Sequence, residues 1–226
     1  MRILSSVAIL AFSALAFGQS PLTTTFANNN GNAVGGAAYV DLDVLDPTGV
    51  TIFSLDINTA AAAGSIEVYT VPTTWVGNNS NAAAWTLAGS GSFSVGAGMG
   101  TGTSVCMAPG FHLPQGQYGI AFVQIACNAA YTTASGGFPL VYATAELSLT
   151  GGGGTNVPFS TGLFQPRLWN GSIHYEVGTT AGACLPNASK ETFGDGCYST
   201  YASFYEVMDT ASFDLTNTDL TATNAG

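Results

Sequence analysis

Basic side chains are almost absent from this sequence. Three lysines and arginines stand against thirteen aspartates and glutamates in 226 residues, and charged residues make up only 7% of the chain. Binding to a phosphate backbone or to anionic lipid requires clustered Lys and Arg. The composition therefore argues against nucleic acid as a partner, and an acidic, polar surface favours solubility outside the cell.

Long apolar runs are absent after the first eighteen residues. Met1-Arg2 precedes an apolar stretch at 3–17, and the small residues Ala16 and Gly18 stand three and one positions before a cleavage point. This order is typical of a signal peptide, whereas a membrane-spanning helix needs about 20 apolar residues. We predict a secreted or cell-surface chain of 226 − 18 = 208 residues, with formal charge 2 − 13 = −11 and no membrane insertion.

Cysteine is scarce too, and the predicted mature chain contains Cys106, Cys127, Cys184 and Cys197. Export and an even number favour disulfides. Sequence order suggests the pairs 106 with 127 and 184 with 197, among three connectivities. A metal site is the alternative, but no pair has the two-to-four-residue spacing that is usual for zinc ligands.

Helical periodicity is missing, and two-residue alternation recurs instead. We predict an antiparallel β-sandwich or jelly roll of about nine strands over residues 19–188. The predicted strands are residues 37–45, 50–57, 65–71, 84–87, 91–95, 119–125, 141–149, 163–169 and 172–177. Glycine-rich loops are predicted at 88–104 and 151–154.

Two turns set the expected register. Asn170-Gly171 separates two strand-like runs, and Asn-Gly favours a type I′ hairpin in which Arg167 faces His174. Pro114 and Gly116 predict a turn that starts an apolar strand at 118–123, which we expect to be central and covered on both faces.

The C-terminal part has a different composition. Residues 190–196 read as a polar connector, and residues 212–220 alternate like the beginning of another β-unit. Residues 189–226 therefore predict either the start of a truncated second module or edge strands added to the first sandwich.

Four short segments resemble a recurrent pattern in large secreted bacterial proteins that are built from uncharacterised β-sandwich modules. The segments are residues 26–31, 35–42, 169–171 and 203–206. The resemblance covers most of residues 23–178. It implies a fold and a location, and no activity or functional residues.

Ser172, His174 and Glu176 lie in one row of a predicted strand. Neighbours two apart on a strand are about 6.6–7 Å apart, too far for the short hydrogen bonds of a catalytic triad. No G-x-S-x-G motif is present either. We therefore expect no enzymatic activity.

Acidic residues offer a candidate calcium site. Asp46, Asp56 and Asn58 lie at predicted strand ends, and hard oxygen ligands suit a structural Ca²⁺. The alternative is that the acidic residues near them, such as Asp41 and Asp43, belong to the solvated face of a half-buried strand.

Three tryptophans provide the binding hypothesis. Trp75 and Trp85 flank a polar loop, and Trp169 shares the predicted hairpin face with Arg167 and His174. Exposed rings stack on sugars, although tryptophans also fill cores and Trp169 could cover Arg167 by cation–π packing. The predicted function is a structural or adhesive surface module that contacts an extracellular polysaccharide or a cell-surface protein. The alternative is a carbohydrate-binding module.

Overall fold

The computed structural model describes residues 20–27, 30–134, 140–179 and 184. The chain divides after residue 186, and every described residue belongs to the first of the two units. The predicted signal peptide at 1–18, the segment 189–226 and Cys197 lie outside the described residues.

The described part consists of two antiparallel β-sheets. Their strands are β1 (Leu22–Thr23), β2 (Asn30–Gly31), β3 (Ala37–Val44), β4 (Val50–Asn58), β5 (Gly64–Pro72), β6 (Thr86–Phe93), β7 (Gly102–Leu113), β8 (Gly116–Ile125), β9 (Ala130–Thr133), β10 (Val141–Ala143), β11 (Leu147–Thr155), β12 (Leu163–Trp169) and β13 (Gly171–Val177). Strand order is β1-β13-β4-β7 in the smaller sheet and β2-β9-β12-β11-β3-β8-β5-β6 in the larger, where β10 also pairs with β11. This architecture confirms the predicted all-β, sandwich-like fold. No helix among the described residues has the length and apolar character needed to cross a membrane.

Strand β8 lies in the middle of the larger sheet, between β3 and β5. Its residues alternate between two apolar clusters. Ile120 and Phe122 pack into the main core with side chains of the smaller sheet, whereas Ala121 and Val123 pack into a second cluster with Trp75. The prediction that this strand is central and covered on both faces is therefore confirmed.

The chain passes from the larger sheet to the smaller one at Asn170. Strand β12 pairs with β9 and β11, whereas β13 pairs with β1 and β4, so the predicted type I′ hairpin is wrong and Arg167 does not face His174. Asn170 is fully buried, and its amide nitrogen donates to the Thr25 carbonyl and the Thr132 hydroxyl. These tertiary hydrogen bonds, and not a tight turn, explain the asparagine.

Residues 141–149 form a hairpin and not the single strand that their alternation predicts. Strand β10 pairs with the beginning of β11, with Tyr142 opposite Leu149. In the connecting turn the Thr144 hydroxyl accepts hydrogen bonds from the N–H groups of Glu146 and Leu147. Local side-chain bonding of this kind turns a chain that alternation alone would extend.

The predicted glycine-rich loops are largely strands. Strand β6 continues to Phe93, β7 begins at Gly102, and β11 runs through residues 151–154. A Cβ atom on Gly152 would lie 2.6 Å from Nε1 of Trp75. Glycine at this position allows a bulky ring to lie directly on the sheet.

Candidate functional site

Trp75 and Trp85 belong to the buried cluster on the outer face of the larger sheet, where they are 5% and 7% exposed. Tyr39 is at the centre of the cluster. The centroid of its ring lies 5.9 Å from that of Trp75, 5.8 Å from that of Trp85 and 6.4 Å from that of Phe159. Rings packed in this way have no free face for a sugar, so the structure agrees with the alternative that these two tryptophans fill a core and not with an exposed binding face.

Asp41 explains why the loop that carries Trp75 folds back over the sheet. Its carboxylate accepts hydrogen bonds from the Trp75 N–H and the Thr74 hydroxyl, both at 3.0 Å. The indole N–H of Trp85 donates to the Asn78 carbonyl at 2.9 Å. Asp41 was expected on a solvated strand face, and it instead holds the aromatic cluster in place.

Tyr39 also fixes the second loop that covers the cluster. Its hydroxyl accepts from the Phe159 N–H at 2.8 Å and lies 3.2 Å from the Thr155 hydroxyl. Burial raises the pKa of Tyr39. The hydroxyl therefore stays protonated and acts as a structural link between strand β3 and the loop after β11.

Trp169 is buried in the main core and is 1% exposed. Its ring stacks on Phe122, with centroids 4.1 Å apart and planes at 14°. Arg167 does not pack on Trp169, because its guanidinium lies over Tyr131 at 5.3 Å and Phe164 at 5.8 Å. The expected sugar-binding face of Trp169, Arg167 and His174 therefore does not form.

His174 pairs with Asp56 on the neighbouring strand β4. The distance from Nε2 to Oδ2 is 2.8 Å, which is a hydrogen-bond distance between the two strands. The Ser172 hydroxyl bonds instead with that of Thr23 at 2.9 Å, and Glu176 is exposed. Ser172, His174 and Glu176 therefore do not bond with one another. His174 and Asp56 are placed like the base and acid of a catalytic triad, but no nucleophile is bonded to His174.

The candidate calcium ligands do not converge. Asp46 lies in the turn before β4, where its carboxylate accepts from the Thr48 N–H and hydroxyl. Asp56 and Asn58 lie at the far end of β4, about 20 Å away at the rise of a strand. The side-chain Oδ1 of Asn58 accepts from the Gly100 N–H at 2.8 Å. No group of three His, Cys, Asp or Glu side chains in the described ranges could hold a metal ion.

Cys106 is bonded to Cys184, with Cα atoms 5.4 Å apart, and the two cysteines are 78 positions apart in sequence. The predicted pairing of Cys106 with Cys127 is therefore wrong. Strands β7 and β8 belong to different sheets, so cysteines near in sequence are separated by the fold. Cys127 is a buried free thiol, and burial raises its pKa.

No protein-family model matches the chain, and no curated protein is significantly similar to it. Among solved structures, it is similar to the clostridial cysteine protease Cwp84 after propeptide cleavage, with TM-score 0.43, 16% identity, and coverage of 70% of this chain and 40% of that one. A second similar structure is that of the cysteine protease and lectin-like domains of Cwp84, a surface layer associated protein of Clostridium difficile. Its TM-score is 0.37, with 14% identity and coverage of 64% and 33%. This chain spans less than half of either neighbour, and at these TM-scores the likeness carries no argument about activity.

Tyr39 and Phe159 are the structurally central residues that the sequence interpretation missed. Phe159 lies in the loop after β11 and contacts Tyr39, Tyr69 and Trp85. A signal was present for Tyr39 alone, because residues 37–40 form an uninterrupted apolar run, as in a strand that is covered on both faces.

Proposed function

We propose that the mature chain is an exported structural or adhesive module without catalytic activity. The observation that carries the proposal is the disulfide between Cys106 and Cys184. Disulfides persist in oxidising compartments outside the cytosol. This one ties the chain beyond β13 to β7, which suits a domain that must keep its fold in the extracellular medium.

The proposal is also supported by the contacts that the predicted ligand-binding side chains make within the protein. Trp75, Trp85 and Trp169 are buried in apolar clusters, and His174 is paired with Asp56. Side chains that are used for packing and pairing stabilise the fold and are not free to recognise a sugar. A carbohydrate-binding module based on exposed tryptophans is therefore not a second candidate, and contact with a polysaccharide or surface protein would use other residues.

The test is a search for binding and turnover with the purified chain. We expect no hydrolysis of a panel of glycoside and ester substrates, and no change in tryptophan fluorescence when polysaccharides are added. The matched variants are His174→Ala and His112→Ala. Turnover that is lost in His174→Ala and kept in His112→Ala would assign catalysis to the His174–Asp56 pair and overturn the proposal.

A further inference from the structure

Two Asn-Gly dipeptides occur in the chain, at residues 30–31 and 170–171. The amide of an asparagine that precedes glycine is open to attack by the next peptide nitrogen, because glycine has no side chain to shield that nitrogen or to restrict its dihedral angles. The fold gives the two dipeptides opposite surroundings. These surroundings decide which of them can react.

Asn30 and Gly31 form β2, which stands at the end of the strand order of the larger sheet, and both residues are exposed. The Gly31 N–H donates to Oδ1 of Asn30 at 2.8 Å, so the peptide nitrogen lies beside the amide carbon that carries this oxygen. Nδ2 of Asn30 donates to the Thr133 hydroxyl at 3.1 Å. A nucleophile, an electrophilic carbon and a leaving amine are thus held together in one exposed residue pair.

Strand β2 can also open at little cost. It has two residues, and it pairs with β9 through Asn30 opposite Tyr131 and Gly31 opposite Ala130. Short segments with few contacts open locally at a small free energy. The space around Gly31 is ordinary, because the nearest atom to a Cβ placed on it would be the Ala129 carbonyl oxygen at 3.5 Å.

Asn170 and Gly171 are held in the opposite way. Asn170 is 0% exposed, and its Nδ2 donates to the Thr25 carbonyl and the Thr132 hydroxyl. The Gly171 N–H donates to the Thr24 hydroxyl at 3.1 Å. The Gly171 nitrogen is thus directed at Thr24, and burial keeps water away from the Asn170 amide.

We propose that Asn30 is a site of spontaneous covalent modification, in which the asparagine becomes aspartate or isoaspartate. The Gly31 peptide nitrogen bonds to Cγ of Asn30, the bond from Cγ to Nδ2 breaks, and Nδ2 leaves as ammonia with the proton from the Gly31 nitrogen. Water then opens the cyclic imide. Attack of water on Cγ gives aspartate, and attack on the main-chain carbonyl carbon of residue 30 gives isoaspartate. The net change is an amide and water to a carboxyl group and ammonia, without an oxidant or a reductant.

The product changes the edge of the larger sheet. Isoaspartate adds a carbon atom to the backbone of β2, so its residues no longer match the register of β9. The chain that follows stays anchored, because Nδ2 of Asn32 donates to the Gln124 side chain at 2.8 Å and its Oδ1 accepts from the Ala129 N–H at 3.1 Å. The modification therefore releases β2 and leaves the rest of the sheet in place. It goes beyond the proposed structural role and is independent of it, because it needs no ligand or partner.

The test is incubation of the purified full chain in mildly alkaline buffer made with heavy-oxygen water, followed by peptide mapping by mass spectrometry. We expect heavy oxygen to enter residue 30. Modification of Asn170 should be slower by about 100-fold or more, because misplaced reacting atoms cost about that factor in rate. In urea both dipeptides are released from the fold, and their rates should become similar.

Gly31→Ala tests the nucleophile itself. Its methyl group crowds the peptide nitrogen and restricts the backbone, so we expect modification of Asn30 to slow by about tenfold. The matched control is Gly162→Ala, where a Cβ atom would meet only the Ser160 hydroxyl at 4.0 Å, and it should leave the rate unchanged. Circular dichroism checks that both variants are folded. An Asn30 that stays unmodified, equal rates at Asn30 and Asn170 in the folded chain, or a difference that persists in urea would overturn the proposal.

Discussion

At the scale of single residues, the burial of the tryptophans distinguishes a structural core from a binding face, because the same rings can serve either purpose. Trp169 is the clearest case because it stacks on Phe122 between the sheets. We predict that Trp169→Ala lowers the free energy of unfolding by about 3–5 kcal/mol, through lost burial and the cavity left behind. Urea denaturation measures this.

The control for that variant is Phe164→Ala, because Phe164 is 42% exposed. Its truncation should cost about 1 kcal/mol or less. Equal losses for the two variants would show that Trp169 is not a core residue.

Tyr175 provides a residue-level prediction about pH. Its hydroxyl lies 2.7 Å from that of Thr144 and donates to the Glu146 carboxylate at 2.9 Å. Burial, with the Glu146 interaction, raises the pKa of Tyr175 to about 12 from an ordinary value of 10.0. The folded state keeps a proton that the unfolded chain loses, so the stabilisation is full below pH 10 and is lost as the pH rises towards 12.

Unfolding curves from pH 9 to 12 should therefore show stability falling with pH, and less steeply in Tyr175→Phe than in the wild type. Some slope should remain, because the Glu67 hydrogen bond also raises the pKa of Tyr69 to about 12. Parallel slopes in the wild type and the variant would contradict the assignment.

At the scale of elements, the approach of β6 to β7 closes one side of the sandwich. A Cβ atom on Gly91 of β6 would collide with the carbonyl oxygen of Cys106 on β7. We predict that Gly91→Ala destabilises the fold by about 1–3 kcal/mol, because two strands must move apart. Thermal unfolding compares it with Gly162→Ala, where a Cβ atom would meet only the Ser160 hydroxyl, at 4.0 Å. A neutral Gly91→Ala would show that the strands are not in close contact.

The disulfide between Cys106 and Cys184 connects strand β7 to the chain that follows β13. Closing a loop of 78 residues should stabilise the fold by about 2–5 kcal/mol. We expect the double variant Cys106→Ser/Cys184→Ser to show that loss in urea denaturation, and addition of a reductant to reproduce it in the wild type. A Cys127→Ser variant is the control, since a free thiol contributes no cross-link.

The accuracy of the sequence interpretation also varies by element. Alternation and apolar runs predicted β3, β4, β5, β8, β12 and β13 closely, because strand burial depends mainly on the residues of the strand itself. The pairing of strands could not be predicted from the same residues. Asn170-Gly171 has the sequence of a hairpin, but the buried Asn170 amide takes its partners from Thr25 and Thr132, far away in sequence.

The surroundings of the predicted ligand-binding tryptophans and the predicted cysteine pairing could not be derived from the sequence for the same reason. Whether Trp75 is exposed depends on where Asp41 holds its loop, and whether Cys106 meets Cys127 depends on which sheet each strand joins. Such long-range contacts leave no periodic signal in sequence. The excess of acidic over basic residues, by contrast, follows from composition alone, because a charge count needs no pairing information.

At the scale of the whole molecule, the central claim is that the chain is exported and functions as an oxidised, structural β-sandwich. The most direct measurement is mass spectrometry of the full-length protein after expression in a secreting host, with peptide mapping under non-reducing conditions. The account predicts recovery outside the cytoplasm, a chain that starts at Gln19, and a cross-linked peptide joining Cys106 to Cys184. An uncleaved chain that stays in the cytoplasm with reduced cysteines, or a cross-link between Cys106 and Cys127, would contradict it.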